Sequence, residues 1–387
     1  MNIVLINFDA IAGSFGGTAR VFANMANSMV ERGHQVSGLF YDLKDGEPAF
    51  TIDSRVNLRN CCSGWYEKIF HNENLAKLKT FYISDRRERR IKRTILELES
   101  KRASIEKALN EIKPDVIVVF QQEIAYLLEE IIKVKQPVVT MIHNKPTYYF
   151  ERPEFEIYSP ALNKCAYVQV LMPQYVQEAE NYLDKEKIVY IPNVVPQYPE
   201  YLGEKKNIIL NVAKIANRKR QHLIVEAFAK IEKKYPDWTV ELWGFDQTEY
   251  AHKLKERIEK LGLSSKIKLC GETKQITEKL QQASIFAFPS EYEGFSLAFT
   301  EAMSMGLPVI GCRDCIAVSA LIDDGKNGLV SEGNADDLAQ KLELLITNPQ
   351  KRLEFGKNAK ISMKEFSPEV VWGKWEALLN SLTQRKF

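Results

Sequence analysis

Two carboxylates eight residues apart, Glu293 and Glu301, stand in the stretch Pro289-Ser290-Glu291-Tyr292-Glu293-Gly294-Phe295-Ser296-Leu297-Ala298-Phe299-Thr300-Glu301, which continues to Gly306-Leu307-Pro308-Val309-Ile310-Gly311. The apolar run Ile285 to Phe288 reads as a buried strand, Glu293 and Gly294 as its exit loop, residues 297 to 305 as a helix and Val309-Ile310 as the next strand. One carboxylate is thereby expected at a strand's C-terminal end and the other within the following helix. In open parallel sheets ligands bind just beyond such strand ends, and a helix N-terminus offers unpaired N–H groups to a phosphate. Two carboxylates in that place suit sugar hydroxyls. Upstream, Lys214 follows a strand ending at Val212, and Lys219 stands just before the next helix. Cations there form a trap for a diphosphate, which gains charge as the bond to it breaks. Gly16-Gly17 with Arg20 follows the first strand and opens the first helix. Glycines there let backbone approach a ligand and leave helix N–H groups free for an anion; a plain tight turn fits equally, since the spacing departs from G-x-G-x-x-G. His143 ends a buried strand, where a lone histidine is usually structural and otherwise catalytic.

The Glu293-x7-Glu301 pair, the intervening Gly-Phe-Ser and the trailing Gly-Leu-Pro-Val-Ile resemble the donor-site motif of family 4 glycosyltransferases, retaining enzymes of the GT-B fold. The resemblance implies an α/β chain of two Rossmann-like doubly wound domains facing across a cleft, with a C-terminal helix crossing back to the first. It implies that Glu293 contacts the donor sugar and Glu301 the nucleotide ribose, and that the backbone at Gly294, Phe295, Ser296 and Leu297 holds phosphate or sugar. Lys214 and Lys219 would bind the diphosphate, with Gly17 and Gly244 also on the donor side. Gly16 and Arg20 would lie toward the acceptor, and His143 near the reacting sugar, so that His143 and Glu293 are the catalytic candidates. Departures from the pattern are Lys214 where arginine is usual, Ala213 and Arg220 where glycine is common, and Ala320 where glutamate is frequent.

The activity so implied is retaining transfer of a sugar from a nucleotide sugar, UDP-linked by preference, to a glycan acceptor on a lipid carrier in surface polysaccharide assembly, capsule or lipopolysaccharide. No Asp-x-Asp occurs in the chain, so no metal or other cofactor is expected; helix dipoles and lysines would supply the positive charge. Two other classes stay open, a nucleotide-sugar epimerase on the same scaffold and a non-catalytic glycan-binding protein. A nicotinamide dehydrogenase is disfavoured by the spacing of Gly16-Gly17.

The elements that must position these residues are legible as two runs of strand and helix. Ile3 to Asn7, Val36 to Tyr41, Asp115 to Phe120 and Val138 to Ile142 read as strands of a first domain, with a helix from Thr18 to Arg32 and a long charged helical region. After Ile191 three prolines and a glycine suggest a linker, and the alternation restarts at Ile208. The expected boundaries are 1–195 plus a terminal helix 368–387 for the first domain, a linker over 196–205, and 206–366 for the donor domain. Ser367-Pro368-Glu369 starts that last helix, and Val371, Trp372, Trp375, Leu378, Leu379 and Leu382 give it an apolar stripe.

The net charge of +2 hides an uneven distribution: Lys77, Lys79, Arg86, Arg87, Arg89, Arg90, Lys92 and Arg93 face only Asp85 and Glu88 in that segment. With Trp65, Tyr66, Phe70, Phe81 and Tyr82 nearby, this cluster suits an anionic membrane surface, Arg86 to Arg93 making the contact; an ordinary charged helix is the plain alternative, and no nucleic-acid partner is expected. The opening residues go straight into a strand pattern without a signal-like segment, and no apolar run approaches a spanning helix, so the expected location is cytoplasmic, peripheral on that face of the membrane. Six scattered cysteines read as reduced thiols, and Cys312-x2-Cys315 lacks the second ligand pair of a zinc site.

Overall fold

The computed structural model of the chain describes residues 1–13, 16–42, 46–62 and 72–384. The chain divides into two compact units, Met1–Pro192 with Trp372–Phe387, and Asn193–Val371. The first is built on a parallel sheet of seven strands, β1 (Asn2–Asn7), β2 (Gln35–Phe40), β3 (Asn57–Asn60), β4 (Val116–Val119), β5 (Val138–Met141), β6 (Tyr167–Val170) and β7 (Ile188–Tyr190), in the order β3-β2-β1-β4-β5-β6-β7. Every residue of β4 and β5 is buried, as both-face coverage by helices demands of central parallel strands. The edge strands β3 and β7 are only partly buried, and the polar sequence of β3 carries no strand signal.

The second unit has six parallel strands, β8 (Ile208–Val212), β9 (Thr239–Trp243), β10 (Ile267–Gly271), β11 (Ile285–Phe288), β12 (Val309–Cys312) and β13 (Gly328–Ser331), ordered β10-β9-β8-β11-β12-β13. Ile209, Val240, Leu242, Ile285 and Ala287 from the sheet share one core with Phe228, Ile231, Leu254, Leu342 and Leu345 from the covering helices. In both sheets the order reverses beside the first strand, between β1 and β4 and between β8 and β11. Loops leaving neighbouring strands at such a reversal turn to opposite faces and leave a crevice between them.

The helix Pro368–Gln384 buries Trp372, Trp375, Leu379 and Leu382, and from Trp372 onward it groups with the first unit. Its Glu376 carboxylate lies 3.5 Å from both Arg32 and His34. The proline-rich stretch after Pro192 groups with the second unit: Val195 donates its N–H to the Phe366 carbonyl at 2.8 Å and Gln197 its side-chain amide to Met363 at 3.0 Å. Backbone of this kind is held by hydrogen bonds rather than hanging as a free tether.

Candidate active site

In the second unit the reversal point is tied together by buried amides. Asn211 near the end of β8 donates to the Ala287 carbonyl of β11 at 2.8 Å, and Gln221, opening the helix Gln221–Ile231, donates to the Lys214 carbonyl at 3.1 Å. Gly244, just past β9, completes the support: its φ is +144°, and a Cβ placed on it would lie 2.1 Å from the Ala213 oxygen. Only a residue without a side chain lets the β9 exit approach the β8 exit so closely. Lys214 is thereby held at the strand end with its ammonium exposed, 5.4 Å from the Phe245 ring centre.

The next turn, Asn217–Lys219, meets the loop after β11. Glu291 donates its N–H to the Arg218 carbonyl at 2.9 Å, and Arg218 reaches back to the Tyr292 carbonyl at 3.4 Å. Inside this zipped pair of loops Lys219 and Glu293 form an ion pair, their side chains 10% and 11% exposed. The Ser290 hydroxyl donates to the same carboxylate oxygen of Glu293 at 2.6 Å. Burial lowers the Lys219 pKa and the Glu293 charge opposes that shift. Taking two charges out of water costs several kcal/mol per ion, so a buried pair is weak as a stabilising device and points instead to a use for the charges. Arg220, in the left-handed region at φ +50°, turns aside to Asp314 at 2.7 Å, which leaves Lys219 as the cation aimed at Glu293.

Downstream, Gly294, Phe295 and Ser296 are buried, and Phe295 packs edge-on against Phe366 at 5.6 Å between ring centres. Ser296 precedes the helix Leu297–Ser304, whose Phe299 rests on Phe286 and Phe288 of β11 and whose Glu301 is 3% exposed. The N–H groups of a helix's first turn lack intrahelical partners and carry its positive end. Cys312 and Cys315 are buried, and burial pushes the Cys312 thiol up to about 12 and that of Cys315 higher still. Among the described residues no group of three or more His, Cys, Asp or Glu side chains is placed to hold a metal ion.

At the reversal point of the first unit, buried Asn7 at the end of β1 accepts from the Asp9 N–H at 3.1 Å and from Gln121 at 2.5 Å. The carboxylate of buried Asp42 accepts the N–H groups of Ile11 and Ala12 at 2.9 and 2.7 Å, fixing the start of the loop that leads to Gly16. Gly16 caps the helix Gly17–Glu31 and accepts the Arg20 N–H at 3.2 Å. His143 follows β5 with its ring stacked on Phe120, 5.3 Å between centres and 19° between planes. Some of the residue's surface stays exposed, yet the ring is enclosed enough that burial lowers its pKa to about 4, and its Nε2 has no hydrogen-bond partner among the described residues. At neutral pH it is therefore an uncharged group.

The basic residues Arg86 to Arg93 form the first turns of the helix Arg86–Ile112, capped by Asp85. Arg87 is paired with Glu156 and Arg90 with Glu154, while Arg89 donates to the Ile83 carbonyl at 2.6 Å. Arg86 and Lys92 are exposed, as are Leu78, Phe81 and Tyr82 just before the helix. Trp65, Tyr66 and Phe70 lie outside the described residues. Among the described residues no helix is long and apolar enough to cross a membrane.

Of the residues expected at the site, Lys219 and Glu293 are brought into contact, and Lys214 and Gly244 lie at the β8 and β9 exits. Ser290, Asn211, Gln221 and Asp42 were not anticipated. Ser, Asn and Asp in a strand or exit loop read as turn formers and Gln221 as an ordinary helix residue, and only Ser290's place three residues before Glu293 could have hinted at its role.

Residues 199–362 match the family model described as glycosyl transferases group 1. The whole chain is similar to an uncharacterised glycosyltransferase of Haemophilus influenzae, 25% identical over 95% of this chain and 97% of that one. It is similar also to the amylovoran biosynthesis glycosyltransferase AmsD of Erwinia amylovora, 23% identical over 97% and 99%. Among solved structures, Alr3699/HepE of Anabaena, crystallised with UDP and glucose, superposes with a TM-score of 0.76 at 18% identity, covering 98% of this chain and 99% of that one. The fold is thus that of GT-B proteins, and the family model, lying on the unit that carries Lys219 and Glu293, together with the full-length relatives supports a glycosyltransferase.

Proposed function

We propose that the protein moves a sugar from a UDP-sugar to a glycan acceptor with retention of anomeric configuration and without a metal ion. The observation that carries this reading is the buried Lys219–Glu293 pair with Ser290 at the β8/β11 reversal point. A diphosphate placed there meets Lys219, the exposed ammonium of Lys214 and the first turn of the helix Leu297–Ser304. Together these offset the charge that grows on the leaving phosphate. Glu293 accepts hydrogen bonds from sugar hydroxyls, and Glu301 serves the ribose, as the family resemblance assigns them. His143, uncharged at neutral pH, offers the reacting sugar a hydrogen bond rather than a charge. With no enzymic nucleophile in view, the departing phosphate oxygen takes the acceptor's proton on the same face. The UDP and glucose bound to Alr3699/HepE support the donor class, and the amylovoran biosynthesis role of AmsD supports polysaccharide assembly.

A lipid-linked acceptor on the cytoplasmic face of a membrane fits the exposed Leu78, Phe81 and Tyr82 beside Arg86 and Lys92. Each cation near an anionic surface contributes about 1 kcal/mol, enough in combination for reversible attachment. Vesicles with anionic lipid should carry the protein in flotation at low salt and lose it on Arg86→Glu with Lys92→Glu; absence of flotation would remove the membrane from the proposal.

The donor reading is tested by thermal shift and nucleotide release with UDP-, GDP- and ADP-sugars in the presence of chelator. One donor should stabilise the protein and be slowly hydrolysed, and both effects should vanish in Glu293→Ala and Lys219→Ala. Silence across the panel, or activity that returns only with added divalent metal, would overturn the respective part of the reading. An inverted linkage in the product would overturn retention.

A further inference from the structure

We infer that Ser290 is a positioning residue for Glu293, setting which oxygen of that carboxylate faces the donor sugar; this rests on the donor-site reading above. Ser290 is fully buried, two residues beyond the end of β11, so its backbone is anchored close to the sheet. A hydroxyl has one proton to give. Its three acceptors are the carbonyls of Arg218 and Tyr292, each at 3.5 Å, and Glu293 Oε1 at 2.6 Å. The near and charged acceptor takes the proton, since hydrogen bonds to ionised groups are the shorter and stronger ones. The same Oε1 also meets Lys219. When a diphosphate claims the Lys219 ammonium, Ser290 remains as a fixed donor on Oε1 and directs Oε2 toward the sugar hydroxyls. The bond spans three residues of the loop that carries Glu293, so it fixes the rotamer at the point where the backbone leaves the sheet.

The test compares Ser290→Ala, Ser290→Thr and Glu293→Ala, using the sugar nucleotide that the wild type turns over and its parent nucleoside diphosphate as the sugar-free probe. Ser290→Ala should lower kcat/KM for the donor about 10- to 100-fold, as expected for a lost hydrogen bond to a charged group. Binding of the nucleoside diphosphate, which depends on the lysines, should stay within about twofold. Ser290→Thr, which keeps the hydroxyl, should recover most of the loss. Equal losses for donor and sugar-free nucleotide would assign Ser290 to loop stability alone and overturn the inference. If Glu293→Ala abolishes turnover while Ser290→Ala behaves as wild type, only the role of Ser290 falls. If Glu293→Ala leaves donor use intact, the donor-site reading falls and takes this inference with it.

Discussion

Replacing Lys219 by methionine should destabilise the second unit and abolish donor use, and the two effects can be separated. The substitution leaves Glu293 as a carboxylate whose side chain is 11% exposed. Removing one partner of a buried ion pair costs about 3–5 kcal/mol because the other charge is stranded. Ser290 still donates to Glu293 at 2.6 Å, and methionine keeps an apolar contact over Phe288, so part of that cost is offset. A net loss of about 2–3 kcal/mol follows, which for a unit the size of Asn193–Val371 means a melting point lowered by about 5–10 °C. Lys219→Met combined with Glu293→Gln removes both charges and with them the desolvation cost, so its stability should return to within about 1 kcal/mol of wild type. The double mutant should nevertheless stay inactive. Thermal and urea denaturation of the four proteins without nucleotide at neutral pH, read as a double-mutant cycle, gives the coupling directly. A coupling below about 0.5 kcal/mol would refute the reading of a buried pair of charges.

Two further outcomes follow from the geometry. Gly244→Ala places a Cβ 2.1 Å from the Ala213 oxygen at a φ that L-residues rarely adopt, so the β8 exit must shift. The expected loss is about 2–4 kcal/mol with weakened nucleotide binding through Lys214, and a variant as stable and as tight-binding as wild type would show that the close approach is not needed. For His143 the folded pKa of about 4 lies below the ordinary 6.5, so the folded state favours the neutral ring. Above 6.5 the ring is neutral in both states; as pH falls toward 4 the unfolded chain takes up the proton first, and stability attributable to this group is lost, on the order of 3 kcal/mol. Acid unfolding of His143→Gln should be less steep over that window, and parallel curves for the two proteins would refute it.

What the sequence determined by itself was local and periodic. The apolar runs at Ile285 to Phe288, Ile208 to Val212 and Val138 to Met141 are buried central strands of parallel sheets, and such strands must be hydrophobic on both faces, so they announce themselves. The terminal helix was equally plain, since its tryptophans and leucines repeat at helical spacing. Glu293, Lys214 and Lys219 were placed at strand exits because an exit follows directly from where a strand stops. The edge strand β3 and the buried Gln169 in β6 were not legible, because strand pairing there comes from neighbours distant in the chain rather than from composition, and β7, Ile-Val-Tyr, is too short to stand out. Only the tertiary structure decided which of three adjacent cations faces the carboxylate. Arg218 is taken by the Tyr292 carbonyl and Arg220 by Asp314, and both partners lie over seventy residues away in sequence. The same holds for Ser290, Asn211 and Gln221: Ser and Asn are common turn formers and Gln an ordinary helix residue, and their roles exist because strand order brings the exits of β8 and β11 side by side.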